Sequence, residues 1–353
     1  MARIILDCEL MKHRNSGLYQ YCLNIGNYVQ HTLNQSEYTD VIKYYVPEAE
    51  ANAFDNTGNN IVEKKYHRLI KPFLWDCDIW HAPFQSGRML PQHSKGVKVL
   101  LTIHDLNCLH EGKPVAEQEK SLRHTQQLIN RADAIVCISE FCRQDVLKYC
   151  DVKNKPVHVI HNGTHKLHEA ALNLTSYKPT VPFLFGMGYV NRKKNFHVLL
   201  PMLQDNNYEL IIAGRLDEAD YVHSIKQQAK KLGVSERVHL LGPVGEQEKA
   251  WYLKHCLAYM HPSLAEGFGA PVVEAMAFGK PLFLSNYTSL PEIAGEVGFY
   301  FSNFSEDHMQ EVFKSGMAEY QRNGLSKRII QKGSEYDWKQ KAKEYIEVYH
   351  SLM

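Results

Sequence analysis

Residues 261–281 read HPSLAEGFGAPVVEAMAFGKP, and Glu266 and Glu274 stand within them with seven residues between, Gly267, Gly269 and Pro271 among these. Pro271 suits the first turn of a helix, and Gly279 followed by Pro281 suits its end. The spacing therefore predicts a short helix over 270–278 with Glu274 in its first turn. Glu266 precedes the glycines and falls in the loop before that helix. Unpaired backbone N–H groups at a helix start, with the positive end of its dipole, favour phosphate, and glycine lets a ligand approach the backbone. Two carboxylates would repel a phosphate unless each accepts hydrogen bonds from hydroxyl groups on either side of a diphosphate. A nucleotide sugar has that layout. The competing reading is a loop with one capping and one solvated glutamate.

A departing nucleoside diphosphate gains negative charge, so such a site needs positioned cations. Arg192, Lys193 and Lys194 form a basic triplet in GYVNRKKN (188–195), after the apolar run FLFGMGY and just before an expected helix from about residue 195. One cation at ~4 Å is worth roughly 4 kcal/mol at an effective dielectric of 20. A basic triplet taken alone reads as a solvated surface run. His104 and Asp105 end the apolar run KVLLTI, Ser139 and Glu140 follow AIVCI, and Ser16 with Gly17 lie between the first apolar run and a helical pattern. All stand where strand gives way to helix, the place where open parallel sheets bind ligands.

The elements that hold these residues alternate along the chain. Expected strands are ARIILD (2–7), VIKYYV (41–46), DIWHA (78–82), KVLLTIHD (98–105), AIVCIS (134–139) and VHVIHN (157–162). Helical patterns separate them over 18–33, up to about Trp75, and over 120–131. Strands alternating with helices imply a parallel sheet covered on both faces. Residues 164–181 are polar with no sustained period, and the domain boundary is expected there. The alternation resumes with FLFGMGY (183–189), ELIIAGR (209–215), RVHLLGPV (237–244), LAYMHPS (257–263) and PLFLSN (281–286). The fold class is α/β, two doubly wound parallel-sheet domains in one chain.

Composition bounds the alternatives. The 353 residues are 44% apolar and 22% charged, and 40 Lys and Arg balance 39 acids, so no overall basic field gathers nucleic acid. The eight cysteines include no Cys-x-x-Cys pair and are expected as reduced thiols. The N-terminal apolar run is too short for a signal peptide, and no stretch reaches the ~18 apolar residues of a membrane span, so a cytoplasmic location is expected. Asp76-Cys77-Asp78 spells a metal-binding Asp-x-Asp but precedes its strand, at the wrong end for a ligand site. The 19 histidines form no close pair on one helix face. No metal is expected.

Several stretches resemble, over nearly the whole length, the retaining nucleotide-sugar glycosyltransferases of family 4, nearest to bacterial mannosyltransferase-like members. They are NSGLYQYCLNI, TIHDLN (102–107), RADAIVCISEFCRQDV (131–146), HVIHNG (158–163), GYVNRKKN, HPSLAEGFGAPVVEAMAFGKP, SNYTSLPEIAG (285–295) and YDWKQKAKEYIEVY (336–349). The resemblance implies the GT-B fold of two facing Rossmann-like domains. Residues 1–166 would bind the acceptor, 180–334 the donor, and 335–353 would form a helix crossing back to the first domain. It implies transfer of a hexose, mannose from GDP-mannose first, to a glycan or lipid-linked glycan with the anomeric configuration kept. UDP-glucose or another UDP-hexose is the alternative donor. Outside catalysis, an inactive nucleotide-sugar-binding partner subunit is the alternative. No cofactor beyond the nucleotide sugar is implied, whereas sugar phosphorylases of this architecture require pyridoxal phosphate.

The same resemblance assigns roles. Glu274 would accept from the ribose hydroxyls and Glu266 from hydroxyls of the transferred sugar. Backbone N–H groups of Gly267, Phe268 and Gly269 would hold sugar and phosphate. Lys194 aligns with the family's phosphate-binding lysine. Lys193 falls where the family has an arginine, for which Arg192 is the substitute. His104 would stand beside the donor sugar and the reacting centre, and Gly17 with Ser16 near the diphosphate. Contacts around Gly214 and from Gly242 to Val244 would select the base. Domain closure would bring His104 towards Glu266.

For the acceptor, residues 63–75 (EKKYHRLIKPFLW) put Tyr66, Leu69, Ile70, Phe73 and Leu74 on one helical stripe opposite Lys64, Lys65, Arg68 and Lys71. Such a stripe could lie on an anionic membrane near a lipid-linked glycan, or pack as an ordinary helix on its sheet.

Overall fold

The protein is described from a computed structural model, which covers all residues except 15, 36, 55–59, 87–88, 92–95, 165–174 and 323, and the side chains of 68 and 72. The chain forms two units, Met1–Gly163 with Asp337–Met353, and Thr164–Tyr336. It leaves the first unit at 163, near the expected end at 166. Residues 165–174 of the expected boundary lie outside the described residues.

The first unit is built from β1 (Arg3–Asp7), α1 (Gly17–Asn34), β2 (Val41–Val46), β3 (Asn60–Val62), β4 (Ile79–Ala82), β5 (Lys98–Ile103), α2 (Val115–Arg131), β6 (Ala134–Cys137), α3 (Glu140–Tyr149) and β7 (Val157–Val159). Its sheet runs β3-β2-β1-β4-β5-β6-β7, and every recorded pairing is parallel. Strands covered on both faces read as nearly continuous apolar runs, and β4 and β6 are buried throughout, with His81 of β4 the polar exception between them. The second unit contains β8 (Phe183–Met187), β9 (Glu209–Ala213), α4 (Ala219–Lys231), β10 (Val238–Gly242), α5 (Glu246–His255), β11 (Ala258–His261), α6 (Ala270–Met276), β12 (Leu282–Ser285), α7 (Leu290–Ala294), β13 (Gly298–Phe301), α8 (Glu306–Arg322) and α9 (Leu325–Gly333). Its sheet order is β10-β9-β8-β11-β12-β13.

The last helix, α10 (Trp338–Ser351), belongs to the first unit. Its buried Trp338, Tyr345, Ile346 and Tyr349 share one core with Tyr21, Ile25 and Val29 of α1. Beneath this packing runs a line of buried polar atoms. Tyr21 and Tyr345 share a hydrogen bond of 2.5 Å between hydroxyls, Tyr349 OH lies 2.8 Å from His81 Nδ1, and His81 Nε2 lies 2.9 Å from Thr102 Oγ1. Burial and the neighbouring His104 push His81 down to about 3, so it is neutral near pH 7.

Two local expectations fail, and two strands appear where none was expected. Residues 63–75 are not one helix but two short 3-10 turns, Lys65–Arg68 and Pro72–Asp76, because Pro72 supplies no N–H to continue the first. The helix expected from about 195 is likewise two turns, Phe196–Leu199 and Pro201–Leu203, broken by Pro201 and set off from Arg192–Lys194 by the left-handed Asn195 (φ 57°). The edge strands β3 and β13, with three and four residues, have no counterpart in the sequence expectation.

Candidate active site

In the second unit backbone hydrogen bonds join the ends of β8, β9 and β10. Gly188 N donates to Ala213 O at 3.0 Å, Gly214 N to Gly242 O at 2.8 Å, and Val190 N to Arg215 O at 2.8 Å. A Cβ on Gly214, whose φ is 138°, would lie 2.0 Å from Gly188 O. Gly214 is thus a close-approach glycine that lets the strand ends converge. A Cβ on Gly188 would lie 2.8 Å from Lys194 Cε, so Gly188 makes room for the lysine stem. Asn191 caps the turn Arg192–Lys194, its side chain accepting from Lys194 N at 3.2 Å.

Lys194 crosses to the loop after β11. Its Nζ donates to Glu266 Oε1 at 2.5 Å, and both side chains are largely enclosed. His261, the last residue of β11 and fully buried, places Nε2 2.8 Å from the same Oε1 and Nδ1 3.1 Å from Tyr259 OH. An ionised carboxylate can only accept, so Nε2 carries the proton and Nδ1 accepts from the tyrosine. Burial, the largest single influence, pushes the Glu266 carboxyl up, but Lys194, His261 and Lys193 together hold it well below the usual range. Burial pushes His261 down against the opposing pull of Glu266. The loop is pinned where Glu266 N donates to Thr288 Oγ1 at 2.9 Å and Ser289 Oγ donates to Glu266 O at 3.0 Å. Among the described residues no hydrogen bond reaches Glu266 Oε2. That oxygen is left for a ligand.

Glu274 is not in the first turn of its helix. α6 begins at Ala270 after Gly269, so Glu274 is in the second turn. There Lys249 of α5 donates to its Oε1 at 2.9 Å and to Glu246 Oε1 at 2.9 Å. Burial lowers Lys249 most among single influences, yet Glu274 and Glu246 together raise it, so it stays charged. The buried Tyr259 is raised first by burial and then by both Glu274 and Glu266, which sets the two carboxylates around one phenol. Gly269 takes φ 89°, the left-handed conformation that starts α6. Phe268 is buried against Tyr336, with ring centroids 5.5 Å apart, so only its backbone can serve a ligand. Gly267 lies between it and Glu266, and Val244 is half-buried between β10 and α5.

Two comparisons decide the family. The model described as glycosyl transferases group 1 matches residues 175–336, and that described as glycosyltransferase family 4 matches residues 49–165. The chain is a family 4 glycosyltransferase. O-antigen chain mannosyltransferase B of Escherichia coli is 25% identical over 303 residues, 78% of this chain and 74% of its own length. O-antigen chain mannosyltransferase RfbU of Salmonella typhimurium is 23% identical over 333 residues, 88% and 90% respectively. Among solved structures, sucrose-phosphate synthase of Thermosynechococcus elongatus gives a TM-score of 0.77 at 18% identity, covering 100% of this chain and 99% of its own. Anabaena HepE in complex with UDP-glucose gives 0.75 at 16% identity, covering 99% and 100%. The fold is GT-B.

The basic triplet of the glycosyltransferase divides. Lys194 joins Glu266, and Lys193 acts on it through its charge. Arg192 departs from expectation. It is 60% exposed and held by Glu218 at 3.1 Å and Asp220 at 2.7 Å, both acids near the start of α4, which draw it from Glu266.

In the first unit, His104 follows β5. Its Nε2 donates to Pro83 O at 2.8 Å, its backbone N donates to Gln85 Oε1 at 3.1 Å, and its ring meets Tyr21 edge-on with centroids 4.7 Å apart. The remaining Nδ1 is an acceptor suited to a hydroxyl group. Burial pushes His104 down to about 4. Ser16 caps α1, accepting from Tyr19 N at 3.1 Å and donating to His13 O at 2.7 Å, so its hydroxyl is committed to the fold. A Cβ on Gly17 would meet nothing within 4 Å, so no packing demands glycine there. Ser139 caps α3, and Glu140 pairs with Arg143 at 2.9 Å. Asp76 and Asp78 hold Arg3 at 2.7 and 2.6 Å, and Asp76 holds Lys43 at 2.7 Å. Among the described residues no cluster of His, Cys, Asp or Glu could hold a metal, and no helix is long and apolar enough to cross a membrane.

Sequence reasoning missed His261, Tyr259 and Lys249. The alternation of β11 offered a signal, since it puts Tyr259 and His261 on one face. Lys249 left none. It stands 25 residues before Glu274, on another helix.

Proposed function

We propose that this glycosyltransferase moves a hexose from a nucleotide sugar, mannose from GDP-mannose first, to a glycan or lipid-linked glycan with retention of configuration. The observation that carries the reading is Glu266, whose Oε1 is held by Lys194 and His261 while Oε2 has no protein partner among the described residues. Oε2 accepts from hydroxyls of the transferred sugar, and the remaining N–H groups of Lys194 meet the diphosphate. Glu274, steadied by Lys249, accepts from the ribose hydroxyls. His104 Nδ1 accepts from a substrate hydroxyl. The bond from the anomeric carbon to the phosphate oxygen breaks, the acceptor oxygen bonds to that carbon on the same face, and the acceptor's proton passes to the leaving phosphate. The charge that develops on the phosphate is met by Lys194, with no metal required. Two O-antigen mannosyltransferases among the relatives favour mannose. The HepE complex favours a second reading with a UDP-hexose donor.

The acceptor side of the proposal places the 63–75 segment against anionic lipid at the cytoplasmic face. Leu69 and Trp75 are 89% and 85% exposed, Tyr66 and Ile70 are also exposed, and Lys64, Lys65 and Lys71 flank them. Flotation with acidic vesicles tests this part, and no binding removes it. A screen with radiolabelled GDP-mannose, UDP-glucose and other UDP-hexoses, read as sugar release, tests the main reading. Turnover identifies the donor. Binding without turnover supports the inactive partner subunit instead, and turnover that stops on chelation refutes the metal-free reaction.

A further inference from the structure

The strand that leads into the Glu266 loop ends on a side chain for which the proposed reaction has no role of its own. His261 is fully buried at the end of β11, beyond direct reach of a ligand, and both its ring nitrogens are engaged, with Glu266 Oε1 at 2.8 Å and Tyr259 OH at 3.1 Å. A diphosphate binding at Lys194 shares that lysine's charge and adds negative charge beside Glu266. Both effects weaken the hold on the carboxylate and favour its protonation. The His261 contact is different, because an enclosed neutral N–H cannot be recruited by the ligand. Proton placement follows from the partners: Tyr259 O–H donates to Nδ1, which fixes the proton on Nε2, which donates to Oε1.

We propose that His261, with its tautomer fixed by Tyr259, is the positioning residue that keeps Glu266 ionised and turns its Oε2 to the substrate while an anionic ligand occupies Lys194. Among the described residues the titratable and charged groups facing this chain are Lys194 and Lys193 from the 192–194 turn, Tyr259 from its own strand, and Glu274 from α6 with the Cys256 thiol after α5, both of which act on Tyr259. From the segment before α7 the neutral Thr288 and Ser289 meet it through the Glu266 backbone. His261 therefore acts through Glu266.

The proposal rests on reading Glu266 as the ligand-facing carboxylate, so its test includes a measurement that needs no turnover. Full-length protein labelled with 13C at the glutamate carboxyls, with Glu266 assigned by Glu266→Gln, is titrated in the presence of inorganic pyrophosphate. In wild type and in His261→Gln, which keeps a donor at the Nε2 position, the Glu266 signal titrates low. In His261→Leu its midpoint rises by about one pH unit or more. With a donor that turns over, His261→Leu loses about 30-fold in kcat with the Kd for UDP or GDP unchanged, and the acid limb of its pH profile moves up. His261→Gln recovers most of the loss. An unmoved Glu266 midpoint in His261→Leu overturns the proposal, as does an equal loss in both variants. Failure of wild type to bind or turn over any nucleotide sugar overturns the proposed function instead, and the carboxylate titration still reads His261. Should His261→Leu not fold, Tyr259→Phe carries the test, since a Glu266 midpoint unchanged there also refutes the chain.

Discussion

Two lysine–glutamate pairs lie within the second unit, and they are built for different ends. Among the described residues Lys194 meets one carboxylate, Glu266, and two of its three N–H groups make no hydrogen bond to protein. Lys249 is shared between Glu274 and Glu246 and is enclosed. A cation with donors to spare can transfer its interaction to an arriving phosphate, whereas one bridging two carboxylates fixes a side chain in place. The geometry differs in the same sense. Glu266 sits in a loop pinned by Thr288 and Ser289, and Glu274 sits in the second turn of a helix. Under the proposed reaction Lys194 is the charge that meets the leaving group, and Lys249 steadies the carboxylate assigned to the ribose.

Breaking the first pair has the largest expected consequence. Lys194→Ala removes the cation that the proposed reaction sets against the leaving group and should lower kcat by about 100- to 1,000-fold, with smaller change in KM. Single-turnover measurement of sugar release checks it, and an equal loss in nucleotide affinity alone would merge the two pairs' roles. Breaking the second pair reverses the pattern. Lys249→Met leaves two acids facing each other, and nucleotide affinity falls about tenfold with kcat within about threefold of wild type. Because Glu246 is more than half exposed and can turn to water, the stability loss is about 2 kcal/mol, a melting shift of several degrees.

Acid distinguishes Glu266 from His104. Glu266 is held well below the usual carboxylate range, so the stabilisation it provides is present above the unfolded value near 4.5 and fails only in strong acid. His104 in the first unit titrates about 6.5 when unfolded and about 4 when folded. Its contribution is whole above 6.5 and declines as pH falls from 6.5 to 4, by about 3 kcal/mol at most. Melting followed across that window should show a falling midpoint, and His104→Gln should flatten part of the slope. An unchanged slope would mean that other buried histidines, His81 among them, account for the acid loss.

The sheets were legible because strands buried on both faces are written as nearly continuous apolar runs, such as LIIA in β9 and AIVC in β6. The short edges β3 and β13 were not, since three or four residues give no period to count. The segment 63–75 kept a helical spacing that Pro72 interrupts, and pattern alone does not show where a proline stops hydrogen bonding. At the site, Glu266, Glu274 and Lys194 stood out by motif. Their real partners did not, because Lys194 and Glu266 are 72 residues apart and only the fold joins β8 to β11. Reading Arg192 with Lys194 as one basic run overlooked Glu218 and Asp220, acids that lie beyond the next strand.

Arg192 therefore makes the smallest and sharpest test of how the charge is divided. Its guanidinium is exposed, spans two surface acids and lies near the Tyr221 ring, 5.8 Å from the centroid. Exposed ion pairs contribute little, so Arg192→Ala should leave kcat and donor affinity within about twofold of wild type. Lys193→Ala, one residue closer in sequence to Lys194 and felt by Glu266, should lower donor affinity by several-fold more than Arg192→Ala does. Measuring the two variants side by side at low and at physiological salt distinguishes them, because a charge acting on a buried carboxylate is screened less than one on the surface. If Arg192→Ala proved the more damaging, the guanidinium would have to leave Glu218 and Asp220 for the ligand, and the triplet would act as a unit after all.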